Sequence, residues 1–172
     1  MTLRKVDICV IGGGSGGLSV AAGAVQMGAS VALFERGAMG GDCLNHGCVP
    51  SKALLAAAKA AAGVAGAGAF GVDAELTAID RRRVAAHVRG VIAAIAPHDS
   101  VAPFTGLGVE VIAAAGRFVD ARTVTGGGVT VRREYAKDWK LWGQHSVNDP
   151  FTGPHTSLAL TSESGEMLIA LF

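Results

Sequence analysis

Apolar residues gather in short dense runs near the start of the chain and in helix-spaced stripes through its middle. Residues 6–11 read Val-Asp-Ile-Cys-Val-Ile, short and β-branched, as a strand buried on both faces reads. A Gly-rich turn fills 12–17, and an apolar stretch from about 16 to 27 predicts a helix. Residues 30–34 predict a second strand. Strand, glycine turn, helix and strand make a βαβ unit, so the expected class is α/β.

Residues 49–69 are rich in Ala and predict a long helix, which the glycines of 66–71 end. After a connection over 73–80, residues 81–96 predict another helix. Val84, Val88, Val91 and Ile95 form its apolar stripe, and Arg82 and Arg89 lie on its solvent side. Residues 109–118 predict a strand. Residues 123–125 and 129–131 predict two more around Gly126, Gly127 and Gly128, as in a tight hairpin. From Arg133 the pattern changes. Tyr135, Trp139 and Trp142 crowd together, and Ser, Thr, Pro, Gly and His follow with weak periodicity. Residues 157–160 and 167–172 predict short strands or helix fragments. The expected division is 1–132 as one domain and 133–172 as a divergent tail.

Composition narrows the classes. With 172 residues, half of them hydrophobic, the chain can bury one solid core. The net charge of +1 with no long basic run argues against nucleic acid as a partner. Charged residues make up 17%, fewer than the usual quarter, which suits a larger parent or a covered face. Three cysteines are too few for a secreted disulfide scaffold, so the cytoplasm is expected. The polar start runs straight into a strand, so no signal peptide is expected. Residues 53–70 are the most membrane-like stretch. They are mostly Ala and are interrupted by Lys59, Gly63, Gly66 and Gly68, which predicts a close-packed soluble helix.

The glycines carry the first chemistry. Gly12, Gly14 and Gly17 hold the three positions of G-x-G-x-x-G, between a strand and a helix. The first permits a tight turn, the second lets a pyrophosphate approach, and the third lets helix and strand pack. Glu35 ends the second strand and can accept from both hydroxyls of an adenosine ribose; its charge would repel a 2′-phosphate. The motif leaves FAD and NAD both open. Cys9 lies within the first strand and reads as a core residue.

The second chemistry lies in residues 40–52, Gly-Gly-Asp-Cys-Leu-Asn-His-Gly-Cys-Val-Pro-Ser-Lys. Cys43 and Cys48, with four residues between them, approach a helix N-terminus, where unpaired amides favour a thiolate. Such a pair can cycle between dithiol and disulfide. Gly40 and Gly41 allow a close backbone passage. Lys52 is one helical turn past Cys48, where a cation can steady a thiolate or a reduced cofactor. Competing readings are a metal site through Cys43, His46 and Cys48, which lacks a fourth ligand, two inert thiols, or His46 as a base. Cys43 is expected to be the more exposed thiol. His145 and His155 stand apart from any thiol, so no metal site is expected.

These two stretches together resemble the class I pyridine nucleotide-disulfide oxidoreductases, the family of dihydrolipoyl dehydrogenase, glutathione reductase and mercuric reductase. The cysteine run is the specific part of the likeness, which continues to about Arg132. The resemblance implies a Rossmann-like FAD-binding domain, with a βαβ start and a small antiparallel β insertion. It implies FAD near Gly12, Gly14, Gly17, Glu35 and Gly41. It also implies that Cys48 faces the flavin as the charge-transfer thiol, that Cys43 is the interchange thiol, and that Lys52 lies beside flavin N5. Asp42 and His46 depart from commoner family residues. Electrons would pass from NAD(P)H through FAD to Cys43 and Cys48, then to a disulfide or thiol-ligated acceptor, small molecule or protein. A complete family enzyme would be a homodimer. This chain lacks a second glycine fingerprint for NAD(P)H, the later Gly-Asp flavin segment and the interface domain. It is therefore expected to be an incomplete domain, inactive alone, with a parallel sheet open at one edge. A mercuric-reductase-like metal-ion reductase and a non-catalytic nucleotide-binding module are the alternatives.

Overall fold

The structure, a computed structural model, describes residues 2–133 and the strands 139–149, 153–162 and 167–171. It divides into two compact units, one of residues 1–41 and 99–172, the other of residues 42–98.

The first unit is built in layers around a six-stranded sheet of order β4-β3-β2-β10-β9-β8. Its centre is β2 (Ile8–Ile11), parallel to β3 (Val31–Phe34), which is parallel in turn to β4 (Glu110–Ile112). Alternation along these strands sorts the core into two faces. Val10, Val31 and Leu33 pack with Leu18, Ala21 and Ala24 of α1 (Ser15–Gln26) and with Phe104 of α5 (Val101–Leu107). Cys9, Ile11, Ala32 and Phe34 pack on the other face against Val124 and Val131 of a second sheet.

That second sheet has the order β1-β7-β6-β5. β6 (Thr123–Gly126) and β7 (Val129–Arg133) form the expected hairpin. Its turn needs two glycines, because Gly127 and Gly128 hold φ of +56° and +77°, the left-handed pair of a type I′ turn. β5 (Arg117–Asp120) lies antiparallel to β6, and β1 (Thr2–Val6) joins β7 in parallel. Asp7 separates β1 from β2. Its Oδ2 accepts from Ser30 N–H at 2.8 Å and Ser30 Oγ at 2.6 Å, while its own amide donates to Ser30. These bonds hold its carboxyl below the ordinary range.

The structure departs from expectation at four places. Residues 109–118 do not make one strand. They split into β4 and β5 in different sheets, with Gly116 between, where a Cβ would come 3.0 Å from Phe34. Residues 2–5, read as a polar lead-in, are a strand. Helix α5 was not expected, although Gly108 ends it with φ +102°. The sheet edge expected to be open is filled: β10 (Met167–Leu171) lies parallel to β2 with Ala170 opposite Ile11. β9 (Gly153–Ser162) and β8 (Trp139–Asp149) extend the sheet antiparallel. The side chains of His145 and His155 lie outside the described residues.

The second unit is helical. Its α2 (Gly41–Asn45) begins in the first unit, and α3 (Cys48–Ala65) follows. A 3₁₀ turn, Ala67–Phe70, leads to the connection and then to α4 (Arg81–Ile95). Val84, Val88, Val91 and Ile95 are the half-buried face of α4, as their spacing predicts. Asp80 caps α4, accepting from the amides of Arg82 and Arg83 at 2.8 and 3.2 Å. Leu54, Leu55, Phe70, Val72, Leu76 and Ile79 are exposed. By length and composition alone, the run Gly41–Ala65 passes for a membrane crossing, and the close packing expected of it is not found, since Ala53 is the only buried residue of α3. The helix is interrupted within that run at His46 and Gly47, and α3 carries Lys52 and Lys59.

Candidate functional site

The glycine turn sits where β2 delivers the chain to α1. Gly12 leaves the strand with φ +106°, and Gly14 is the N-cap of α1 without any capping side chain. The first-turn amides of a helix lack intrahelical acceptors and attract an anion. A Cβ on Gly17 would lie 1.9 Å from the carbonyl oxygen of Gly12, so that position packs helix on strand. A Cβ on Gly14 would meet only the Cα of Gly41, at 3.9 Å. Gly14 therefore guards an approach rather than the packing. Gly41, at φ +56°, crosses so near that its own Cβ would come 2.6 Å from the Cα of Gly14. Gly40 pairs with Gly14 as an isolated bridge and donates its amide to Gly13 O at 2.8 Å.

Glu35 stands at the end of β3 beside this turn. Its Oε2 accepts from Gly13 N–H at 2.6 Å and its Oε1 from Gly37 N–H at 2.5 Å. The amides fix the carboxylate, and each oxygen keeps a lone pair for a ribose hydroxyl. Gly13 and Gly37 were not singled out from the sequence, because the fold alone brings their amides to Glu35. A capless helix start, a glycine open to approach and a preset carboxylate fit the pyrophosphate and ribose of an adenine dinucleotide.

The thiol segment belongs to the second unit. Cys43 lies in α2 and Cys48 opens α3. Their thiols hydrogen-bond to each other, and the Cys48 backbone amide donates to the Cys43 sulfur. The Cys48 hydrogen bond pushes the Cys43 thiol above its ordinary value, helped by desolvation and the Cys48 charge. The Cys48 amide and the Lys52 cation oppose that shift. The helix-start amide expected to serve Cys48 points at Cys43 instead. The exposure order is also the reverse of expectation: Cys48 is exposed and Cys43 half-buried. Leu44, the next residue after Cys43, is buried. Both cysteines are free thiols, as is the buried Cys9. Burial pushes Cys9 up to about 12. Among the described residues, no group of three His, Cys, Asp or Glu side chains is placed to hold a metal ion.

Residues 6–136 match the pyridine nucleotide-disulphide oxidoreductase family. The chain is 49% identical over 75 residues to a mercuric reductase of Streptomyces lividans, a match covering 43% of this chain and 16% of that protein. It is 37% identical over 118 residues to dihydrolipoyl dehydrogenase 2 of Haloarcula marismortui, covering 69% of this chain and 25% of the relative. The fold is similar to that of LpdA from Mycobacterium tuberculosis, with a TM-score of 0.57 at 20% identity, over 99% of this chain and 30% of that one. The chain belongs to the pyridine nucleotide-disulphide oxidoreductase family. Its α/β architecture is that of the family's Rossmann-like FAD-binding region, and it spans less than a third of the length of each of the three proteins described.

Proposed function

We propose that this chain is the FAD-binding and disulfide-bearing part of an oxidoreductase that passes electrons from NAD(P)H to a disulfide acceptor. The observation that carries the reading is the hydrogen-bonded pair Cys43 and Cys48. Gly12, Gly14, Gly17 and Gly41 shape the pyrophosphate turn, Glu35 holds the adenosine ribose, and Lys52 supplies a cation beside the thiols. When bound, the flavin supplies the two electrons that return the disulfide to the dithiol.

The chain's own residues perform the exchange. The Cys43 sulfur gives up its proton and attacks one sulfur of the acceptor disulfide, releasing the other as a thiolate. Cys48 then attacks Cys43, closing Cys43–Cys48 and releasing the second acceptor thiol. Two electrons leave the pair, one acceptor disulfide becomes two thiols, and the protons of Cys43 and Cys48 go to solvent or product. The thiols suit a reducing compartment such as the cytoplasm. The complete enzyme would add the nicotinamide site and a second subunit. The likeness to a mercuric reductase supports a second reading, in which a thiol-ligated metal ion is the acceptor.

Gly14→Val separates cofactor binding from folding, since a Cβ there meets only Gly41 Cα at 3.9 Å. Calorimetric titration with FAD should show affinity falling by about tenfold or more, roughly 1.4 kcal/mol, with an unchanged circular dichroism spectrum. Equal affinities in the two proteins would remove the glycine turn from the cofactor site.

A further inference from the structure

The turn between the two thiols is built around a residue that carries no chemistry. The carbonyl of Asp42 accepts from His46 N–H at 2.8 Å and from Gly47 N–H at 2.7 Å. The second bond spans five residues, a wider closure than one α-helical turn, and it lets the chain end α2 and re-enter helix at Cys48. A Cβ on Gly47 would lie 3.2 Å from Asp42 O, 3.3 Å from Asp42 Oδ2 and 3.5 Å from the Cα of Cys43. The first and third of these neighbours are backbone, and the first two contacts are tighter than an ordinary van der Waals approach. Gly63, inside helix α3, is different, with nothing within 4 Å of its Cβ position.

We infer that Gly47 is a positioning residue for the redox pair: its bare α-carbon, lying against Asp42 and Cys43, sets the separation of Cys43 from Cys48. The inference rests on the redox reading above. Gly47 precedes Cys48 directly, so any retreat of Gly47 from Asp42 carries the Cys48 sulfur and amide away from Cys43. A disulfide tolerates little change in Cα and Cβ separation, and misfit appears as strain in the oxidised form. The dithiol has no such requirement. A side chain at 47 therefore disfavours the disulfide specifically and makes the pair a stronger oxidant. Asp42, a departure from commoner family residues, supplies one of the three contacts through its carboxylate.

The test is a redox titration of the full chain with reduced and oxidised dithiothreitol. In this reaction the two protein thiols become one disulfide, and the reagent disulfide takes up their two electrons and two protons. Thiols are trapped by alkylation, and the Cys43–Cys48 link is counted by peptide mapping. Gly47→Ala should lower the equilibrium constant for forming that link about tenfold, close to 30 mV for a two-electron couple. Gly63→Ala should leave it within about twofold. Adding Asp42→Ala to Gly47→Ala should recover part of the loss, because the 3.3 Å contact goes. Hydrogen exchange in α3 and α4 is followed alongside. An unchanged constant in Gly47→Ala sinks the inference and leaves the redox pair standing. Loss of α3 and α4 protection in that variant also sinks it, since glycine would then hold the fold and not the pair. If the unaltered chain forms no Cys43–Cys48 link at any ratio, the redox reading falls and the inference with it.

Discussion

Cys9 and the pair Cys43 and Cys48 show how differently three thiols behave when their surroundings differ. Cys9 is 5% exposed and uncharged until about pH 12. Its folded value lies above the ordinary 9.0, so the stability it contributes is fully present below 9 and is lost as pH rises towards 12. Cys9→Ala should flatten the alkaline limb of a denaturation-midpoint curve between those values, at a packing cost of about 1 kcal/mol. A limb of the same slope in both proteins would mean that Cys9 is not the titrating group. The roles of Gly12 and Gly17 were legible in the sequence because a turn and a close helix–strand contact make local demands on backbone shape. The amides that hold Glu35 were not, since Gly13 and Gly37 meet it only through the turn and the end of β3. Nor was the relative exposure of Cys43 and Cys48. Helix position suggests which thiol feels an N-terminal amide, but the turn at Gly47 decides where that amide points.

At the level of elements, periodicity served helices with long stripes and failed short pieces. The α4 stripe was readable because Val84, Val88, Val91 and Ile95 keep one face over about three turns. α5 is only seven residues long and carries Pro103 in its first turn, so it offers too few turns for a stripe. β1 was missed because four of its five residues are exposed and it joins its sheet through backbone pairing to β7. The break between β4 and β5 depends on packing against Phe34, which no local window contains. The cap on α4 lends itself to measurement. Asp80→Ala leaves the Arg82 and Arg83 amides without their carboxylate acceptor, and should lower stability by about 1 kcal/mol in a urea titration. The largest rise in hydrogen exchange is expected in the first turn of α4. Exchange that rises evenly along α4 would show that the cap does not act locally.

For the whole molecule, the tail changes the account of the sheet. An open sheet edge was expected from the loss of the family's closing strand, yet β10 lies parallel to β2 with Ala170 opposite Ile11. A chain ending at Arg133 should bare the β2 edge, and an uncovered edge pairs with other chains. Sedimentation at micromolar concentration should show it associating where the full chain does not; a monodisperse truncated chain would show that β10 protects nothing. The same topology has a consequence for birth on the ribosome. Thr2 waits for Val129, and Ile11 waits for Ala170, before their strands are flanked. Synthesis proceeds at about 5–20 residues per second, so the nascent chain spends many seconds with β2 lacking a neighbour on one side. Residues 42–98, whose internal contacts are local, need no such wait. Cys43 and Cys48 can thus come together while the nucleotide-binding half is still unfinished. The newborn pair therefore meets small-molecule thiols and disulfides before the sheet that carries the glycine turn is complete.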